Sequence, residues 1–203
     1  VVAVITSMAQ PLGTHIGNAL EVKDAIDVLA GRTQGDLLEI SLLLGSHMLV
    51  LAEKARTLPE ARAMLENALS SGAGLRKLAE MIAAQGGDPR VVEDLSLLPQ
   101  AAVKRVMRAE TAGYLSAMDT TALGMAAQRM GAGRAKKSDM LDYSVGYVLH
   151  VRLGDEVTED TPLATLYARN EAEAEEAEKA IRKALTIAGE KPQTPKLWDA
   201  VVT

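Results

Sequence analysis

The chain has 203 residues, 48% apolar but only 2% aromatic and none of them Phe, so it can bury a core of Leu, Val, Ile, Met and Ala yet offers few stacking platforms for bases or sugars. A net charge of −5 without a basic stripe argues against nonspecific binding to nucleic acid or anionic membranes. The lack of Cys excludes disulfides, zinc-thiolate sites and thiol catalysis, and no apolar run is long enough to span a bilayer.

The opening "VVAVIT" (1–6) reads as a buried strand, since β-branched residues dominate and no helical period is present. It lacks the charged start and the length of a signal peptide, and is expected to be a strand already under way in a longer protein. "QPLGTHIG" (10–17) is a turn. Asn18 with Glu21 three residues on has the form of a capping box, predicting a helix from near Ala19 to Ala30 that Gly31 stops. Asp36 with Glu39 repeats the device before "LLEISLLLGSHMLVLAEKA", a helix apolar on nearly every side and therefore expected to be buried. Pro59 and Gly72 bracket a third helix, and "LRKLAEMIAAQ" is a fourth, ended by Gly86 and Gly87.

After Pro99 the texture changes. "AAVKRVMRA" and "GYLSAM" read as strands, "TTALGMAAQRMG" as a helix, and 143–168 as strands and turns punctuated by Gly146, Gly154, Asp155 and Pro162. Residues 171–188 return to helix, with Glu crowded into the first half and Lys179, Arg182 and Lys183 in the second, as the helix dipole favours. That charge run reads as a solvated face.

Local chemistry is sparse. His15, His47 and His150 offer no pair at metal-ligand spacing, and His47 inside an apolar helix reads as a packed core residue. The serines lack a nucleophile-elbow context. "SSGAG" (70–74) and "GAGR" (131–134) could cradle an anion, but each follows a predicted helix, where a glycine stop is the simpler account. Arg134 beside two glycines could hold an anion or tie two segments together. Asp24 and Asp27 lie three apart on one helix face, a spacing that suits paired carboxylate chemistry and equally describes a solvated face. Residue physics alone thus reaches a soluble α+β protein.

Several segments, taken in order, go further: "ITSMAQPLGTHIGNALEVKDAI" (5–26), "DLLEISLLLGSHML" (36–49), "AQGGD" (84–88), "MGAGR" (130–134) and "DMLDYSVGYVLHVRLGDEVTEDTPLATLYA" (139–168). Together they resemble the pyrimidine nucleoside and thymidine phosphorylase family. The resemblance implies an α+β (α/β) fold, with 1–104 the later part of the catalytic α/β domain and 105–203 a C-terminal hammerhead-like domain. It implies a pentosyltransferase that converts pyrimidine nucleoside and phosphate to free base and pentose 1-phosphate. The family's phosphate loop and base-binding group precede the "QPLG" turn and do not occur in these residues, so no catalytic or substrate-binding residue is assigned and the isolated chain is expected to be inactive.

The resemblance implies no organic cofactor. It does imply a potassium ion, held by the backbone carbonyls of Leu12 and His15 and the carboxylate of Asp24, where Glu is more usual. It also implies a cytoplasmic homodimer that pairs through upstream helices, with phosphate and a pyrimidine nucleoside as ligands and neither nucleic acid nor membrane as partner. Rival readings are a phosphoribosyltransferase-type enzyme and a non-catalytic structural fragment. A biotinyl or lipoyl carrier fits the "GYVLHVRLGDEVTEDTPLATLYA" rhythm, but no lysine stands between 143 and 170 to be acylated.

Overall fold

The computed structural model describes residues 1–202, which fall into two compact units. One, the helical unit, comprises Val1–Thr6, Lys23–Leu97 and Leu197–Thr203; the other, the sheet unit, comprises Ser7–Val22 and Leu98–Lys196. Helices and antiparallel strands together make an α+β architecture. Among the described residues no helix is long and apolar enough to cross a membrane.

In the helical unit, β1 (Ala3–Thr6) pairs antiparallel with β9 (Trp198–Val202). The expectation of a buried strand fails: β1 is mostly exposed, because its sheet has two strands and nothing within the unit covers both faces. Helix α1 (Asn18–Leu29) starts in the sheet unit and ends here, where Gly31 takes the left-handed conformation (φ 71°) and donates to the Val28 carbonyl as a helix stop. Helix α2 (Asp36–Leu51) has no side-chain cap. Gly35 precedes it, and Glu39 is spent on Arg62 of α3 (Leu58–Ser70), which it meets through two hydrogen bonds of 3.0 Å. That fork ties α2 to α3, so the second predicted capping box does not form.

Helix α2 also departs from the expected full burial. Leu38, Ile40, Leu42 and Ser46 are buried, but Leu44, Met48 and Leu51, at helical spacing, form an exposed stripe. At the start of α3 Pro59 sits in the first turn, as predicted, and the structure adds a cap, with Thr57 accepting from the Glu60 amide. At its end Gly72 is left-handed (φ 69°), and α4 (Ala73–Ala84) follows at once. The apolar core here is small, built on Val28, Leu38 and Leu42 with Leu37, Leu65 and Leu69 against it.

The sheet unit is built differently. A four-stranded antiparallel sheet runs in the order β2 (His15–Ile16), β5 (Gly146–Leu149), β7 (Pro162–Ala168), β3 (Val103–Arg108). A three-stranded one runs β6 (Glu156–Val157), β4 (Gly113–Met118), β8 (Leu185–Ala188). Helices α5 (Thr120–Ala127), continued by a π-turn over 128–132, and α6 (Glu171–Ala184) complete it. Strand alternation sends Met107, Leu115, Tyr147, Leu149 and Leu166 into one core with Leu123 of α5 and Ile181 of α6. Tyr147 is fully buried, and its hydroxyl donates to the Leu123 carbonyl at 2.8 Å.

The predicted helix 171–188 is corrected at its end. It stops at Ala184, and "LTIA" turns into β8, with Ile187 opposite Leu115 and Thr186 opposite Ala117. Along α6 the charged face is largely solvated, but Glu178 is held by Arg105 of β3 at 2.7 Å and by Arg182 at 2.9 Å.

Candidate functional site

The turn 10–14 lies in the sheet unit, and every residue of it presents an oxygen to the last residue of β5 or to the segment after it. Thr14 accepts from the Leu149 amide at 2.8 Å, and the Gln10 side chain from the Leu153 amide at 3.0 Å. Between them stands the Arg152 guanidinium: Nη1 donates to the Pro11 carbonyl at 2.7 Å and the Gly13 carbonyl at 3.5 Å, and Nη2 to the Leu12 carbonyl at 3.5 Å. Arg152 is itself fixed from behind, since its amide donates to the Asp155 carboxylate at 2.7 Å.

From the turn the chain enters β2, where His15 stands opposite Val148 and Ile16 opposite Tyr147. Gly17 and Gly146 bring their backbones together. A Cβ on Gly146 would lie 2.1 Å from the Ile16 carbonyl oxygen, and one on Gly17 2.5 Å from that of Val145. Both have positive φ, so glycine is required twice over.

The helix start differs from the expected capping box. Glu21 reaches back four residues to the Gly17 amide at 3.2 Å, one position beyond the Asn18 amide that the box requires. Asn18 does not cap; its Nδ2 donates to the Ala132 carbonyl at 2.8 Å, and the Ala19 amide donates to the Tyr143 carbonyl. The "MGAGR" loop is thus bound to the start of α1. Within that loop Gly131 has φ 106°, Gln128 donates to the Arg134 carbonyl at 2.7 Å, and Arg134 Nε donates to the Asp139 carbonyl at 3.2 Å. Its guanidinium ties two stretches of backbone.

Of the three residues expected to hold potassium, Leu12 and His15 lie in the same turn-and-strand segment of the sheet unit, and Asp24 belongs to the helical unit. Asp24 is buried, not solvated. Asp27 is buried as well, with Lys23 at 2.6 Å and Arg32 at 2.7 Å. Burial works to raise its carboxyl, but the two cations outweigh burial and hold it below its ordinary value. The pair is therefore not a solvated face.

The ion implied by the resemblance fits this geometry poorly at Leu12, whose carbonyl already accepts from a guanidinium. Among the described residues no group of three or more His, Asp and Glu could hold a metal ion. Of the remaining histidines, His150 Nε2 meets the Thr165 hydroxyl at 2.7 Å, with its imidazole pulled below the usual value by burial and by Lys104, and His47 Nε2 is buried in the helical unit without a hydrogen-bond partner among the described residues.

Sequence reasoning passed over Arg152. It stands inside a quoted segment, but its partners lie about 140 positions earlier, and nothing in its own neighbourhood announces them.

Residues 114–188 match the family model described as Pyrimidine nucleoside phosphorylase C-terminal domain. The chain is similar to the Pyrimidine-nucleoside phosphorylase of Bacillus subtilis (strain 168), 46% identical over 201 residues, or 99% of this chain and 46% of the relative. Its counterparts in Geobacillus stearothermophilus and Staphylococcus aureus (strain USA300) are 45% and 42% identical, over 96% and 99% of this chain and 45% and 46% of their own. The chain thus spans under half the length of the curated relatives it matches. By sequence it is similar to pyrimidine-nucleoside phosphorylases along nearly its whole length, and its residues 114–188 match the model of their C-terminal domain.

Proposed function

We propose that this chain is part of a pyrimidine nucleoside phosphorylase, a pentosyltransferase that moves a pentose from a pyrimidine base to phosphate. The observation that carries the reading is the extent of the likeness, which takes in the "QPLG" turn and the helices after it as well as the 114–188 domain. Glycosyl transfer through an oxocarbenium-like state needs phosphate positioned below the sugar and charge stabilised on the departing base. Neither a phosphate loop nor a base-binding group is identifiable in these residues. What the chain contributes is scaffold: a turn and helix start locked to a sheet.

Domain assignment follows the same proposal, with 1–104 as the later part of a catalytic α/β domain and 105–203 as the hammerhead-like C-terminal domain. A cytoplasmic homodimer that takes phosphate and a pyrimidine nucleoside goes with it. Potassium at Leu12, His15 and Asp24 is the expectation that Arg152 contests.

The test is release of uracil or thymine from nucleoside in phosphate buffer. The 203 residues alone should give none. Expression from the coding region read upstream of Val1 should give turnover above about 1 per second. A folded longer product without base release overturns the proposal, and turnover by the isolated chain overturns the assignment of catalysis to other residues.

A further inference from the structure

Three consecutive carbonyls, of Pro11, Leu12 and Gly13, converge on one positive group, the Arg152 guanidinium. Convergent backbone carbonyls are what a monovalent metal ion needs in order to shed its water. Here a covalently tethered cation takes them. A guanidinium fits the part, since it is always charged, is weakly hydrated, and spreads its N–H donors in a plane that can reach several carbonyls together. Its reach is set from behind, because the Asp155 carboxylate accepts from the Arg152 amide at 2.7 Å and the Asp155 amide donates to the Arg152 carbonyl at 3.1 Å.

We infer that Arg152 is the resident cation of the Pro11–Gly13 turn and that it excludes a monovalent metal ion from the Leu12 carbonyl. Arg152 is a positioning residue. It aims the turn that feeds β2 and α1, and it makes the order of that turn independent of potassium. The inference deepens the proposed function by assigning to a side chain the role that the family resemblance gives to an ion, and it rests on that reading only in taking the turn as the relevant place.

Thermal unfolding of the chain in potassium and sodium chloride at matched ionic strength tests it, since any general charge effect is then the same in both salts. Wild type should melt within about 1 °C in the two salts, and Arg152→Gln should melt lower by about 3 °C or more in sodium. Potassium should return at least about half of that loss, because the vacated carbonyls then accept the ion. Arg152→Lys keeps the charge as a single point donor; it should melt between the two, equally in both salts.

A potassium preference already present in wild type and unchanged in Arg152→Gln overturns the inference. So does Arg152→Gln that melts lower with no preference between salts, since the guanidinium would then be an ordinary strut. If Arg152→Gln does not fold, Arg152→Lys decides: equal melting in both salts upholds the exclusion, and a potassium-selective gain refutes it. The readout is melting of the chain itself, so this result is separable from any failure of the base-release assay.

Discussion

The two units spend similar apolar compositions very differently. In the sheet unit, strands and helices from Met107 to Ala184 converge on one continuous core, so each large side chain is enclosed by several elements. In the helical unit, Val28, Leu38 and Leu42 form a small core beside an apolar hollow of about 360 Å³, and the α2 stripe of Leu44, Met48 and Leu51 stays exposed. Two antiparallel layers of alternating strands can sequester their residues within one unit. Helices that are apolar all round cannot do so when only neighbouring helices flank them.

The largest predicted contrast comes from the cores. Leu166→Ala, at a fully buried site in β7 flanked by β5 and β3, should cost about 4 kcal/mol, and Leu42→Ala in α2 about 2 kcal/mol, because an open hollow already adjoins the second site. The chain carries its own reporters for separating them: the single Trp, Trp198, lies in the helical unit, and the four Tyr (Tyr114, Tyr143, Tyr147 and Tyr167) lie in the sheet unit. Urea unfolding followed by Trp fluorescence and by tyrosine near-ultraviolet dichroism should shift on one probe per substitution. Equal shifts on both probes would mean that the units unfold as one.

What the sequence made legible divides along the same line. Elements whose signals are local were readable: Pro59 and Gly72 bound α3, and Gly31 ends α1, because caps and stops involve residues within a turn of each other. Errors came where a distant partner decides. "LTIA" follows a helical charge pattern and becomes strand only because β4 lies beside it, and Asn18 gives up its cap for a carbonyl at Ala132. Glu39 likewise leaves the helix start for Arg62. The turn was identified as a place of interest from its glycines and the family resemblance, but Arg152, which holds it, was illegible without the fold.

An intermediate contrast concerns acid stability. In the sheet unit Glu178 sits between Arg105 and Arg182, joining α6 to β3; in the helical unit Asp27 sits between Lys23 and Arg32, all within α1 and its exit. Burial pushes both carboxyls up, but the flanking cations win and hold both below their ordinary values. A carboxyl lowered on folding stabilises the native state above its unfolded value, near about 4, and that contribution fades as pH falls through the folded value. Glu178→Gln and Asp27→Asn should each cost about 1 to 2 kcal/mol at neutral pH, with the larger cost at Glu178, and should flatten the loss of stability below about pH 4. Urea midpoints measured from pH 3 to pH 7 check this, each variant against wild type, since the other carboxylates titrate in both. An unchanged acid slope in either variant would remove that carboxylate from the account.

The smallest effect sharpens the comparison from the other side. Met48→Gln falls on the exposed α2 stripe and should change stability by less than about 0.5 kcal/mol. A loss of the size seen at Leu42 in the same Trp198-monitored titration would mean that the stripe is covered in solution.

The clasp at Arg152 also has a consequence in time. Residues 10–14 bond to residues 149–153, while the residues that make up most of the helical unit, 23–97, lie between them in the chain. At roughly 5 to 20 residues per second, a ribosome needs on the order of ten seconds to supply the second half of that contact. During that interval helices α2 to α4 can pack on one another, but the turn and the start of α1 wait as open chain, and β1 waits longer still for β9. Docking of the turn is therefore a late event of synthesis.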